Sequence, residues 1–194
     1  MAKKIKVAFQ GEKGAYSHIA SLEVFPNADV KSCATFEDTF RLAKENSEYK
    51  IVIPIENSLV GRVADIHYLI PKYKLQIHAE HFQKVTHNLL GVKGSKIENI
   101  KTVRSHSHAI GQCQKIIVKN KLKPVVAADT AGSAKYISQN KDKSESAIAS
   151  DLAAKIYDLD ILKSNIEDET GNVTRFLIMG RESNHPEVKD KKYI

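Results

Sequence analysis

Runs of four or five apolar residues alternate with segments of helical period along most of this chain. Ile5, Val7, Ala8 and Phe9 open it as a strand, and a turn bounded by Gly11 and Gly14 leads into a helix. That helix carries Ile19, Ala20, Leu22 and Val24 and stops before Pro26. Residues 29–33 read as a second short strand. Thr35 and Asp38 form a capping box that starts a helix reaching about Glu45, with Phe36, Phe40 and Ala43 along one side. Residues 51–55 are wholly apolar, a buried strand that delivers Glu56, Asn57 and Ser58 into a turn closing at Gly61. A helix from about Val63 follows and ends at Pro71, and residues 75–92 show strand alternation with no helical period. The pattern then restarts, with strands at 100–103, 124–127 and 147–149. Helices between and after them cover about 109–119, a stretch capped by Thr130 that reaches about Gln139, and 152–157 behind Ser150 and Asp151. Residues 160–164 are extended, and the apolar run 176–179 closes the series as a buried strand.

These elements fall into two bursts, about 1–75 and 93–160, joined by extended crossings near 76–92 and 161–175. That is the plan of an α/β protein with two lobes. Two crossings let the last strand return to the first lobe, so lobe 1 is expected to hold about 1–75 plus 174–180 and lobe 2 about 80–165. A central cleft between them is the default ligand site.

Composition narrows the function classes. Apolar residues make up 42% of the 194 and charged residues 27%, ordinary for a soluble globular chain. The net charge is +7, but the basic residues are spread singly apart from a cluster at Lys189, Lys191 and Lys192. Without tryptophan or a repeated basic-aromatic platform, this reads as a solvated surface and not a nucleic-acid face. Such a field would also draw a small anion. No apolar run approaches the roughly 20 residues of a membrane span. The first nine residues read as a strand and not as a signal peptide, so a cytoplasmic location is expected. Cys33 and Cys113 lack metal-like spacing and are expected to be free thiols. His78, His81 and His87 raise a metal site, yet strand positions three apart face opposite ways and no carboxylate or cysteine completes a set. No metal is expected.

Several polar groups fall at strand mouths, where α/β proteins place ligand chemistry. Glu56, Asn57 and Ser58 put a carboxylate, an amide and a hydroxyl in a row, where a helix-capping turn accounts well for only one of them. Ser105 and His106 follow another strand, Asp129 and Thr130 a third. The Gly11–Gly14 turn with Ser17 could offer donors to an anion, or could simply need glycine for a tight connection. Thr174 and Arg175 place a hydroxyl and a guanidinium where a turn at Gly171 and Asn172 feeds the final strand; Arg175 could equally pair with Glu167 or Asp168.

Together these clusters resemble the prephenate dehydratase family, which includes the closely related arogenate dehydratases. The resemblance spans nearly the whole chain. It rests on Gln10-Gly11-Glu12-Lys13-Gly14-Ala15-Tyr16-Ser17, Pro54-Ile55-Glu56-Asn57-Ser58-Leu59-Val60-Gly61, Ser105-His106 with Gln112-Cys113, Asp129-Thr130-Ala131-Gly132, Ala147-Ile148-Ala149-Ser150, and Ile166-Glu167-Asp168 with Asn172-Val173-Thr174-Arg175-Phe176. It departs from the family pattern at Ser107 and His108, where Pro-Gln is usual. It implies a two-lobed fold like type II periplasmic binding proteins, with residues 1–180 as the catalytic domain. It also implies loss of water and carbon dioxide from prephenate to give phenylpyruvate in L-phenylalanine biosynthesis, by a lyase that needs no cofactor. The alternatives are an arogenate dehydratase forming L-phenylalanine directly, or a non-catalytic small-anion-binding protein of the same fold. On this resemblance Arg175 clamps the pyruvyl carboxylate, and Thr174 donates to the departing hydroxyl or relays a proton. Glu56, if burial keeps it protonated, or else His106, partners Thr174. Asn57, Ser58, Ser105, Gln112, Phe176, Gly14 and Ser17 contact or orient the substrate. Family members are typically homodimers or homotetramers. They usually carry a C-terminal ACT domain that binds phenylalanine; residues 181–194 are expected to be a tail without one, which leaves feedback inhibition unsupported.

Overall fold

At the centre of the first sheet both faces are buried, which is why 7–9, 51–53 and 176–179 read as unbroken apolar runs, while its two edge strands are largely exposed. In the computed structural model, which describes residues 4–181, this sheet is built from β1 (Lys6–Gln10), β2 (Asp29–Cys33), β3 (Tyr49–Asn57), β4 (Gly61–Arg62), β5 (Gln76–Lys84) and β11 (Val173–Gly180). Its order is β2-β1-β3-β11-β5, with β4 paired to β3; β1 runs parallel to β2 and β3, and β11 is antiparallel to both its neighbours. Successive residues serve opposite layers. Ala8, Ile51, Ile53, Leu177 and Met179 pack with Phe40, Ile66 and Leu69 from α2 (Phe36–Glu45) and α3 (Ala64–Tyr73). Val7, Val52, Phe176 and Ile178 pack with Ala20 of α1 (Tyr16–Val24) on the other side.

The second sheet has the order β10-β6-β9-β7-β8, from β6 (Asn88–Val92), β7 (Thr102–Ser105), β8 (Lys123–Val126), β9 (Glu145–Ala149) and β10 (Leu159–Lys163). On one side lie α4 (Ser107–Gly111) and α5 (Gln114–Lys119), with Ile110, Cys113, Ile116 and Ile117 in the core. On the other lie α6 (Thr130–Asn140) and α7 (Asp151–Ile156), which bring Ala134, Ile137, Ala153 and Ala154 inward. The twice-crossed, two-lobed α/β plan expected from the sequence is the plan observed.

Several boundaries move. Residues 76–84 pair along β11, so β5 belongs to the first lobe; the second begins at β6 and not near residue 80. The extended pattern could not show this, because it runs from β5 into β6 without a glycine or proline breaker and only pairing separates them. The helix expected over 109–119 is two short helices broken at Gln112 and Cys113. Asp129, not Thr130, caps α6, its Oδ1 accepting from the Gly132 N–H at 2.6 Å. The helix expected to stop at Pro71 continues two residues further, to Tyr73. Thr35 caps its helix as expected, its hydroxyl accepting from Asp38 N–H at 3.0 Å, but the Asp38 carboxylate accepts from the Thr35 hydroxyl at 2.7 Å in place of the backbone N–H that would complete a capping box. Cys33 and Cys113 are free and buried, and burial pushes the Cys113 thiol up to about 12. The lysine cluster at 189–192 and the expected tail beyond Arg181 lie outside the described residues. No helix among the described residues is long and apolar enough to cross a membrane.

Candidate active site

The lobes meet at two places. At the first, the turn after β1 docks on the second lobe. Ser150 Oγ donates to Gly14 O at 2.5 Å while accepting from Ala153 N–H, so one hydroxyl both caps α7 and joins the lobes. Tyr157 donates to Lys13 O at 2.8 Å, and Lys135 pairs with Glu12 at 3.1 Å. His18, stacked on Phe9, accepts from Gly14 N–H at 3.0 Å and fixes the turn from behind.

The crossing segments, 85–87 and 164–172, form the second meeting place and bond to each other. Val85 N–H donates to Asn172 O and Ile166 N–H to His87 O, both at 2.9 Å, and Glu167 accepts from His87 N–H at 2.9 Å. Between these two contacts opens a cavity of about 450 Å³. Thr174, Phe176, Asn57, Ser17, Gln112 and His106 all line it, together with Tyr16, His87 and Asn172.

One chain of hydrogen bonds runs through its wall. The Asn57 amide nitrogen is 2.9 Å from Thr174 Oγ1 and 2.6 Å from Asn172 Oδ1. Asn172 Nδ2 is 2.9 Å from Gln112 Oε1, which lies 2.9 Å from His87 Nε2. Asn57 and Thr174 come from the first lobe, Gln112 from the second, His87 and Asn172 from the crossings. Register explains the first pairing, since Thr174 lies directly opposite Asn57 on β3. A bulge then skips Ile55, so Phe176 faces Pro54, and both Pro54 and Asn57 reach the cavity although three residues apart.

The same pleat sends Arg175 and Glu56 the other way, which corrects the expected carboxylate clamp and acid. Both border a smaller cavity elsewhere, without Thr174. Arg175 is bound through Nε and NH2 to Glu80 at 2.7 Å, with Glu56 3.7 Å away. Glu56 has a side chain 54% exposed, so the burial on which its role depended is absent. Ser58 lies outside the cavity lined by Thr174 too: its hydroxyl donates to Gly171 O at 2.8 Å and accepts from Val173 N–H at 2.9 Å, tying the two loops together. Ser105 is fully buried and donates to Ile148 O. Gly14 serves the lobe contact described above. His78 and His81 sit on β5, with His81 3.1 Å from Glu23, and His87 lies beyond the strand.

Sequence reasoning missed Tyr16, His87 and Asn172 as site residues. Tyr16 donates to Thr86 O and meets the His87 ring edge-on, and burial raises its phenol above the ordinary range. Asn172 read as a turn residue; its burial is the signal no motif carries. Burial lowers the His87 ring from the ordinary 6.5, against a raising bond to Gln112. Burial lowers His18 as well, with Lys13 adding to it; burial and then His108 lower His106, against Asp129. His106 Nδ1 accepts from His108 N–H at 3.3 Å, leaving Nε2 to carry the proton.

For each of these histidines the folded chain holds a proton less readily than the unfolded one. Their contribution is therefore present above the ordinary 6.5 and is lost as pH falls below it. Urea midpoints should drop between about pH 7.5 and pH 5.5, and the drop should be smaller in His87→Gln. An equal drop in parent and variant would remove His87 from the account.

A family model described as prephenate dehydratase matches residues 7–184. The chain belongs to the prephenate dehydratase family. Among curated relatives in the prephenate dehydratase family, the bifunctional N-acyl-homoserine lactone acylase/prephenate dehydratase of Komagataeibacter europaeus is 42% identical over 90% of this chain and 62% of its own. Arogenate dehydratase/prephenate dehydratase 1 of Arabidopsis thaliana is 42% identical over 98% of this chain and 48% of its own. The crystal structure of prephenate dehydratase from Arthrobacter aurescens in complex with L-Phe superposes with a TM-score of 0.86 at 26% identity, over 94% of this chain and 62% of that one. The chain thus spans about half to two-thirds of the length of these relatives.

Proposed function

We propose that this chain carries out the decarboxylating dehydration of prephenate to phenylpyruvate, a step toward L-phenylalanine. One observation carries the reading: in a chain of this family, Thr174, Gln112, Phe176, Ser17 and His106 from both lobes converge on a single cavity. Aromatisation drives the reaction, so positioning and hydrogen bonding suffice. The ring hydroxyl leaves poorly unless a donor reaches it. Thr174 supplies that hydrogen bond, and His106, protonated at Nε2, is the second donor. The ring carboxylate must depart, so a firm ion pair to it would stabilise the ground state and slow the reaction. The pyruvyl carboxylate is the one to anchor. Arg62, at the rim, is the single lysine or arginine lining the cavity among the described residues, and it takes the role first expected of Arg175. Arg62→Gln is expected to raise KM by about 10-fold or more, the worth of a charge-assisted hydrogen bond, with a smaller change in kcat. An unchanged KM would return the anchor to uncharged donors.

Conversion of arogenate is the second reading, favoured by the Asp129 carboxylate in the cavity lining, which could receive the substrate ammonium. Incubating the protein with each compound separately decides between them: phenylpyruvate from prephenate supports the first, phenylalanine from arogenate the second. Neither product would leave a small-anion-binding protein.

A further inference from the structure

We propose that Asn57 is a positioning residue that sets the direction of every hydrogen bond from Thr174 to His87, and so makes the Thr174 hydroxyl a donor toward the cavity. Backbone N–H groups can only donate, and two of them fix this end of the hydrogen-bond chain. Leu59 and Val60 N–H both point at one oxygen, Asn57 Oδ1, at 3.0 and 3.1 Å. The other end of the Asn57 side chain is therefore its NH2, and it donates to Thr174 Oγ1 and Asn172 Oδ1. Two consequences follow. Thr174 Oγ1 is already accepting, and its hydrogen has no acceptor among the described residues, so it is free for a substrate oxygen. Asn172 must in turn present its NH2 to Gln112, which leaves Gln112 Oε1 accepting from both Asn172 and His87. His87 is thereby held as the tautomer protonated at Nε2, with Nδ1 bare. That agrees with the geometry on the far side, where buried His87 Nδ1 has no hydrogen-bond partner. A short turn at 57–60 thus dictates proton placement across the wall to a histidine on the crossing.

The catalytic half of this inference rests on the dehydratase reading; the polarity of the chain does not. Asn57→Asp tests both. A carboxylate still accepts from Leu59 and Val60 but cannot donate. The Thr174 hydrogen is then drawn to it and away from substrate. Asn172 must turn its NH2 toward the new carboxylate, Gln112 must turn its NH2 toward Asn172 and His87, and His87 must move its proton to Nδ1. Imidazole ¹⁵N shifts of His87, assigned by comparison with His87→Gln, are expected to report Nε2–H in the parent and Nδ1–H in the variant. Turnover of prephenate or arogenate is expected to fall by about 100-fold or more with KM changed only a few-fold. A parent ring protonated at Nδ1, or a folded variant with the parent's tautomer, overturns the polarity. A switched tautomer with undiminished turnover overturns the role for Thr174. If the parent converts neither compound, the dehydratase reading fails while the tautomer result still stands. Should Asn57→Asp not fold, Asn172→Asp reads the same chain: it too must turn Gln112 and switch the His87 tautomer, and an unswitched ring overturns the proposal.

Discussion

Thr174→Val is expected to lower turnover by about 10²–10⁴-fold, the range for losing a positioned proton or hydrogen-bond donor, while the fold is kept. Valine retains the branched shape on β11 and removes only the hydroxyl. Thr174 is half-buried at the cavity wall, and the partner that loses a bond, the Asn57 amide, still donates to Asn172. The stability cost should therefore stay near 1 kcal/mol, the net worth of a typical hydrogen bond. If Thr174 acts only on the transition state, kcat and kcat/KM fall together and KM barely moves. Steady-state kinetics on the substrate identified above, with a urea melt beside it, check both halves. Near-normal turnover would sink the donor role.

The largest effect on stability is expected at Gly14. Its φ is +93°, a left-handed conformation that costs an L-residue about 1–2 kcal/mol. A Cβ there would also lie 2.7 Å from Ala153 Cα and 2.9 Å from Ala153 Cβ, which are backbone and the root of a side chain on α7 and cannot swing away. Overpacking adds about 1–3 kcal/mol, so Gly14→Ala should cost about 2–5 kcal/mol and lower Tm by on the order of 10 °C. Gly171→Ala is the control. Its φ of +92° carries the same backbone cost, but nothing lies within 4 Å of the added carbon. Thermal melts of the two variants should differ by the clash alone. Because Gly14 O also accepts from Ser150, relief of the clash would come by spreading the lobes, and the alanine variant should lose turnover as well as stability. Equal melting temperatures would mean that the contact with α7 yields freely.

How far the chain could be read depended on the range of the interactions involved. Two α/β lobes, both crossings and the return of the last strand were legible because each rests on local period and local breakers. Thr35 and Ser150 cap the helices that their neighbours announce. Gathering Thr174, Gln112, His106 and Ser17 around one cleft also followed from the order of strand mouths, aided by the family motifs. Sequence could not sort Thr174 from Arg175, or Asn57 from Glu56. In a strand adjacent residues point to opposite faces, and which face meets the second lobe is settled only when β11 slots between β3 and β5. Nor could it show that a bulge at Ile55 lets Pro54 and Asn57 share a face, or that His87 and Asn172, 85 residues apart in the numbering of the chain, meet through Gln112. Local pattern was enough to set which elements form and which chemistry is on hand. Tertiary structure alone decided which side chains look into the cavity, because strand register and the bonds between crossings are long-range choices that no local pattern encodes.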